Sequence, residues 1–311
     1  MTTFKSEVKI SGKGIHSGAP VNMVIKPSDK YGIFFLRTDI KGSDLIPATY
    51  NNVGETKMRN TTIGDINGAH VQTIEHIMAA LFVYGVGSAV IEIDGPEIPI
   101  LDGSAKEFCD IFETIGVNPN NNLRKIFVRK TVVVRQSEII KALPLFVRME
   151  IFFMNLISGR KNNGFVKLSP DSRGLFVDAT LQYPEKIIGK QSARFLFDGT
   201  DDSRKDFIDN FANSRTFGKI SEWQHLKLHG MARGADETNV IALNEACDGT
   251  INELNNPDEF VMHKIIDCLG DMFTSGGFIY ANMESYKGSH ALNNLVLKKL
   301  FSNNNNYEII D

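Results

Sequence analysis

His263, Asp267 and Asp271 stand at i, i+4 and i+8 within the stretch Asp258 to Asp271. Apolar residues recur there at Val261, Ile265, Ile266, Leu269 and Met272, the spacing of a helix with a buried face. The three polar residues therefore project from one side of that helix. A carboxylate one turn after an imidazole can put both on a single metal ion, and the same stripe can serve a general acid or base. Spacing alone fits a helix-surface ion pair equally well, because such pairs are common on helices.

Glu75-His76 is a second candidate. It is half of a His-Glu-x-x-His zinc motif, without a second His at the required offset. By itself it reads first as a surface Glu beside a partly buried His. Joined to His263 and Asp267 it gives two imidazoles and one carboxylate, a three-ligand zinc set with one open position. Glu75 can then take a proton from the metal's water. Asp271 reads as a capping acid or as the group that orients a catalytic His. His290, in a Gly-Ser turn before a helix, is a capping residue or a mobile general acid. His16, in a similar Gly-rich turn, is expected to be structural, and His70, His225 and His229 to lie on the surface.

These residues need a scaffold, and the totals bound it. The chain has 311 residues, 42% hydrophobic and 23% charged, as in a globular protein with room for two domains. A net charge of −3 gives no strong pull toward nucleic acid or an acidic membrane surface. Three cysteines, Cys109, Cys247 and Cys268, show no metal-ligand spacing; so sparse and odd a set points to a reducing compartment. Met1 to Lys5 has no apolar core of signal-peptide length. The most apolar window, Leu143 to Ile157, contains Arg148 and Glu150 and falls short of the roughly 20 residues a bilayer span requires. A cytoplasmic protein is expected, with peripheral membrane contact left open.

The patterning predicts strands at Val8–Ile10, Val21–Ile25 and Gly32–Leu36, then a helix over Val71–Val83 with Thr73 near its start. A strand at Ser88–Ile93, a turn-rich run from Asp94 to Ser104 and a helix over Ala105–Ile115 follow. Asn118-Pro119-Asn120-Asn121-Asn122 has linker composition. The expected organisation is therefore a domain over 1–117, a linker over 118–123 and a domain over 124–311. In the second half, strands are expected at Lys125–Val134, Gly174–Leu181 and Phe278–Asn282. Helices are expected from Asp206, over Pro257–Thr274, and up to Phe301. Asn303 to Asn306 reads as a frayed tail. Strands followed by two helices, twice over, give an α+β class with two related domains. No sequence repeat accompanies that order.

The motifs together resemble one family. They are Gly14-Ile15-His16-Ser17-Gly18, Thr73 to Leu81, Asp94-Gly95-Pro96-Glu97-Ile98-Pro99-Ile100-Leu101-Asp102-Gly103-Ser104, Ser214-Arg215-Thr216-Phe217-Gly218, Asp258 to Asp271, and Lys287 to Asn294. In this order they are similar to the zinc-dependent UDP-3-O-acyl-N-acetylglucosamine deacetylases of lipid A biosynthesis, the LpxC family. The resemblance implies His76, His263 and Asp267 as Zn²⁺ ligands and Glu75 as general base. It implies His290 as general acid or electrostatic stabiliser, Asp271 as its support, and Thr216 as an oxyanion partner. It also implies Phe217 against the substrate, Lys264 and Lys287 near the sugar and diphosphate, and Tyr183 near uracil.

The family's fold has two similar domains, each a β-sheet with two helices, packed so that the helices lie between the sheets. The site lies where the domains meet. A family-type insert is expected over 218–242 as an acyl-chain passage. Ile220, Trp223, Leu226, Leu228 and Met231 would line it, and Lys219, Glu222 and Lys227 would face water. A small-molecule substrate, an acylated UDP-amino sugar, and a monomeric enzyme follow from the resemblance.

Three stretches depart from the family pattern. Residues 137–164 read as an insertion, either an extended loop or strand pair or an apolar patch for a membrane or partner. The run Tyr183 to Gln191 fits the family's motif loosely. Asn60 stands where the family often has Cys before Thr61-Thr62, which points to a weaker inhibitory metal position. Two other functions remain open at this level: a non-catalytic relative that only binds a nucleotide sugar or partner, and a zinc hydrolase acting on another acylated amino sugar. The full set Glu75, His76, Thr216, His263, Asp267 and His290 weighs against the first; turnover without the uridine diphosphate would separate the second.

Overall fold

A computed structural model describes residues 2–54, 60–118, 123–149, 162–228 and 230–311, apart from the side chains at 224 and 225. The His225 side chain, His229, the run Ile151 to Met154 and most of the Asn118–Asn122 linker lie outside the described residues. The chain forms the mixed α+β class expected from its element order.

The first sheet has strands β1 (Val8–Lys13), β2 (Pro20–Pro27), β3 (Gly32–Arg37), β4 (Ile46–Pro47) and β5 (Ser88–Ile93), in the order β1-β2-β5-β3-β4. β2 alternates buried residues with more exposed ones, because successive side chains of a strand point to opposite faces. β3 and β5 pair in parallel, Gly32 opposite Ser88 through Arg37 opposite Ile93. A parallel pair needs a crossover, and helix α1 (Glu75–Val83) lies on it. Helix α2 (Lys106–Ile115) follows β5 and buries Phe108, Cys109 and Phe112.

The second sheet repeats that plan. It contains β6 (Lys125–Val128), β7 (Val132–Arg135), β8 (Phe165–Pro170), β9 (Leu175–Gln182), β10 (Lys190–Phe197), β11 (Phe278–Tyr286) and β12 (Tyr307–Ile310). The path is β7-β8-β11-β6-β12, with β9 pairing both β11 and β10. β9 and β11 run parallel, and helix α3 (Glu259–Phe273) lies on their crossover. Helix α4 (His290–Phe301) follows β11. Each half thus carries a core helix on the crossover between parallel strands and another helix after them; the second crossover also holds the helical segments Asp201–Asp206, Phe207–Phe211 and Ile220–Leu228.

α1 and α3 pack on each other more extensively than any other pair of helices. Their backbones touch at Gly270, where an added Cβ would lie 2.0 Å from the Glu75 carbonyl oxygen. Only a glycine admits so close an approach. Every residue of α1 is buried, as expected of a helix apolar nearly all round. A continuous apolar core runs from Phe4 to Leu300.

Several expectations need correction. α1 begins at Glu75 rather than Val71, because His70–Val71 forms a short strand with Ile63–Gly64 and Thr73 turns left-handed at φ 60°. Thr73 is therefore no helix cap; its hydroxyl joins Asn60 and Glu97 instead. The strand expected over Lys125–Val134 is two, β6 and β7. β8 and β10 were not expected. Asn304–Asn306 forms a 3₁₀ turn leading into β12, which pairs antiparallel with β6, so the tail is held rather than frayed. Within the 137–164 segment, Gln136–Ala142 is helical, and Leu145, Phe146 and Met149 are exposed. No helix among the described residues is long and apolar enough to cross a membrane.

Candidate metal and active site

The packing of α1 against α3 brings both candidate motifs to one point. His76, His263 and Asp267 each offer a ligand atom, and these atoms lie within 4.8 Å of one another. His76 Nε2 is 3.9 Å and His263 Nε2 3.5 Å from Asp267 Oδ1. His263 Nδ1 donates to the Ser214 carbonyl at 3.0 Å, which leaves its Nε2 lone pair facing the centre. The two imidazole rings meet edge to face, centroids 5.0 Å apart.

The donor set fits a divalent metal on two grounds. Asp267 Oδ1 is buried and has no hydrogen-bond partner among the described residues, an expensive arrangement for a carboxylate unless a cation completes it. Both imidazoles are held neutral, the form that ligates. Burial, then the His263 ring, push His76 down to about 3, and burial likewise lowers His263. Burial would raise Asp267, but the Lys264 ammonium, aided by His290, holds it well below the usual carboxylate range.

Two further titratable groups flank this cluster. Glu75, the first residue of α1, is buried, and its Oε2 accepts from the Thr61 N–H at 2.9 Å. Burial pushes its carboxyl up to about 7, with Asp267 and Asp271 adding to the rise and His290 opposing it. His290, the first residue of α4, donates from Nδ1 to Asp271 Oδ2 at 2.8 Å. Burial disfavours its imidazolium, yet Asp271 and Asp267 overcome that and raise it to about 9. The opposed shifts leave one group able to accept a proton and the other able to give one near neutral pH.

Asp271 is itself held by three donors. Besides His290, the Asn293 amide reaches Oδ2 at 2.8 Å and the Thr61 hydroxyl reaches Oδ1 at 2.5 Å. Lys264 is paired with Asp267 Oδ2 on the same helix, and burial, outweighed by that carboxylate, leaves it firmly cationic.

Thr216 is positioned by the first half of the chain. Its N–H donates to the Gly103 carbonyl at 2.9 Å, and its own carbonyl accepts from Ile241 at 2.8 Å. Gly103 sits at φ 83°, where an added Cβ would meet the Asn239 carbonyl at 1.8 Å, so the Asp102-Gly103-Ser104 turn requires glycine there. Arg215 is clamped to buried Glu259 at the start of α3, Nε to Oε1 at 2.9 Å, which fixes the Ser214–Thr216 segment over His263.

An open cleft of about 700 Å³ leads from this cluster, with Thr216, Phe217, Trp223, Leu226, Ala235 and Val240 among its walls. Phe217 sits 6.3 Å from the His263 ring and 5.9 Å from Tyr183. Part of the 218–242 segment lines the cleft as expected, but Leu228 is 85% exposed and points away. Glu222, expected to face water, lines the cleft, and Lys219 is paired with buried Glu185 at 2.5 Å. His16 also lines the cleft, while the turn around it hangs from the Glu97 carboxylate through the His16 and Ser17 N–H groups. Lys287 stands apart from the cleft walls, with its Nζ on Asn163 at 3.1 Å. Tyr183 is 39% exposed at the outer side of Phe217.

Sequence reasoning gave no role to Thr61, Asn293 or Glu97. Glu97 and Asn293 lie in quoted motifs; Thr61 is an ordinary polar residue whose side-chain partners come from distant parts of the chain.

The family model described as UDP-3-O-acyl N-acetylglycosamine deacetylase (LpxC) matches residues 1–302. The chain belongs to the LpxC family. Among LpxC relatives, the UDP-3-O-acyl-N-acetylglucosamine deacetylase of Helicobacter pylori is 32% identical, over 99% of this chain and 94% of its own. The enzymes of the same name from Nitratiruptor and Wolinella succinogenes are 33% and 34% identical over 99% of this chain, and over 93% and 92% of theirs.

Proposed function

We propose that the protein hydrolyses the N-acetyl group of UDP-3-O-(3-hydroxyacyl)-N-acetylglucosamine to the free amine and acetate, the committed step of lipid A biosynthesis. The observation that carries this reading is the buried, unpartnered Asp267 Oδ1 beside His76 and His263, with Glu75 and His290 on either hand. Zn²⁺, the ion we assign to this His₂Asp set, supplies Lewis acidity toward water and an amide carbonyl.

The residues supply the rest. Glu75 takes the proton from the attacking water; burial, which raises its carboxyl, makes it a stronger base than a surface Glu. The Thr216 hydroxyl and cationic His290 face the negative charge that develops on the carbonyl oxygen. His290 then gives its proton to the departing glucosamine nitrogen, and Asp271 holds the ring in the orientation that permits it. Lys264 and Lys287 suit a diphosphate, Phe217 and Tyr183 suit sugar and base, and Trp223 with Leu226 suits an acyl chain. We place the division between two halves at 118–123. We also propose a cytoplasmic, monomeric enzyme that meets the membrane peripherally; the three free cysteines support only the reducing compartment.

The test is acetate release from the acylated nucleotide sugar. Metal-stripped protein should be inactive and Zn²⁺ should restore it. Fully metallated protein that releases no acetate would show a binding-only relative. Equal turnover without the uridine diphosphate would point to another acylated amino sugar.

A further inference from the structure

Thr61 touches both proton-handling groups of the site. Its N–H donates to Glu75 Oε2 at 2.9 Å, its hydroxyl donates to Asp271 Oδ1 at 2.5 Å, and the same oxygen lies 3.2 Å from His290 Nδ1. The residue is 2% exposed. Glu75 belongs to α1, Asp271 to α3 and His290 to α4, so one residue joins three helices.

We propose that Thr61 is a positioning residue for the reaction, fixing the base and the Asp271–His290 pair relative to each other. The inference rests on the roles given above to Glu75 and His290. A carboxylate turns about its last bond in broad wells, so its orientation depends on its donors. Asp271 Oδ2 is taken by His290 and Asn293, and Thr61 is the donor at Oδ1. Without that hydroxyl, Oδ1 would be buried without a partner and the carboxylate would be free to tilt. Since the hydroxyl proton is committed to Asp271, the Thr61 oxygen presents lone pairs to the Nδ1–H of His290. That hydrogen is shared between Asp271 and Thr61, which sets the ring plane and aims Nε2 at the side where Asp267 lies, 3.8 Å away.

The backbone completes the coupling. Ile74 N–H donates to the Thr61 carbonyl at 3.3 Å, and Asn60 is tied to Thr73 at 3.0 Å, so the segment rides on the entry to α1. A β-branched side chain has few χ1 states, so the directions of the Thr61 amide and hydroxyl are locked together. Displacing either partner therefore displaces the other.

Thr61→Val keeps the shape and removes the hydroxyl; Thr61→Ser keeps the hydroxyl. In the full-length Zn²⁺ enzyme, Thr61→Val should lower kcat about 10–100-fold, with KM within about twofold and zinc content unchanged, the scale of lost outer-shell partners. Thr61→Ser should recover kcat to within about threefold. The His290 Nδ1–H proton resonance should shift in the Val variant and stay in the Ser variant. Wild-type kcat in Thr61→Val would overturn the inference. So would loss of zinc together with kcat, or a Ser variant as slow as the Val variant, because both indicate packing alone. If Thr61→Val does not fold, Thr61→Ala against Thr61→Ser reads the same contrast. If the wild-type protein releases no acetate, the proposed reaction is lost, and the resonance decides alone: no shift in the Val variant ends the positioning role.

Discussion

α3 carries His263, Asp267 and Asp271 on a polar stripe of an otherwise apolar helix, whereas α1 carries Glu75 and His76 in its first turn and is buried at every residue. The stripe on α3 follows helical spacing and can be read from one segment. Glu75-His76 has no such pattern, and its environment is set by what packs on it. The two helices meet where Gly270 lets the backbones touch, so His76 from α1 stands with His263 and Asp267 of α3 in the set we propose as metal ligands. A site divided between two helices in this way shows clearly in the sequence of only one of them.

The strongest way to break this division is to remove a ligand from the legible helix. Asp267→Ala should lose bound metal and lower turnover by about 1,000-fold or more, the scale seen when one member of a cooperating set is lost. Retained metal and turnover would remove Asp267 from the site. Next, Glu75→Gln on the other helix should keep metal yet lose about 100–10,000-fold in kcat, as for a lost general base. Near-normal kcat would exclude Glu75 as the base.

A smaller effect is expected at the contact itself. Gly270→Ala places a Cβ against the Glu75 carbonyl and should destabilise by about 1–3 kcal/mol, with weaker metal binding. Unchanged unfolding and metal affinity would mean that the helices are not held by this approach.

The smallest effect is in the pH profile. In the proposed mechanism, activity requires ionised Glu75 and protonated His290. The rising limb follows Glu75, near or below 7 once a dication favours its carboxylate; the falling limb follows loss of the His290 proton near 9. Asp271→Asn removes the carboxylate that overcomes burial at His290, so the falling limb should move to lower pH. An unmoved limb would separate His290 from that limb.

What was legible follows from the same physics. The ligands, the base and the two-fold order of strands and helices appear because amphipathic periods and turn motifs are local. β10 escapes the pattern because it opens on the polar run Lys190-Gln191-Ser192, as suits a strand with one neighbour and an exposed face. β12 was missed because the Asn run before it reads as loop, and its strand character comes from pairing with β6 across nearly the whole second half. Thr73 adopts a left-handed conformation that threonine seldom takes, so helix propensity placed the start of α1 too early. Thr61 could not be read at all: its hydroxyl partner is 210 residues away.

The central claim is that neither helix holds the ion alone, and metal analysis of His76→Ala tests it most directly. After dialysis at limiting Zn²⁺, the folded variant should retain far less than the single equivalent expected of the wild type, although α3 is intact. A full equivalent bound by the His76→Ala protein would contradict the shared site.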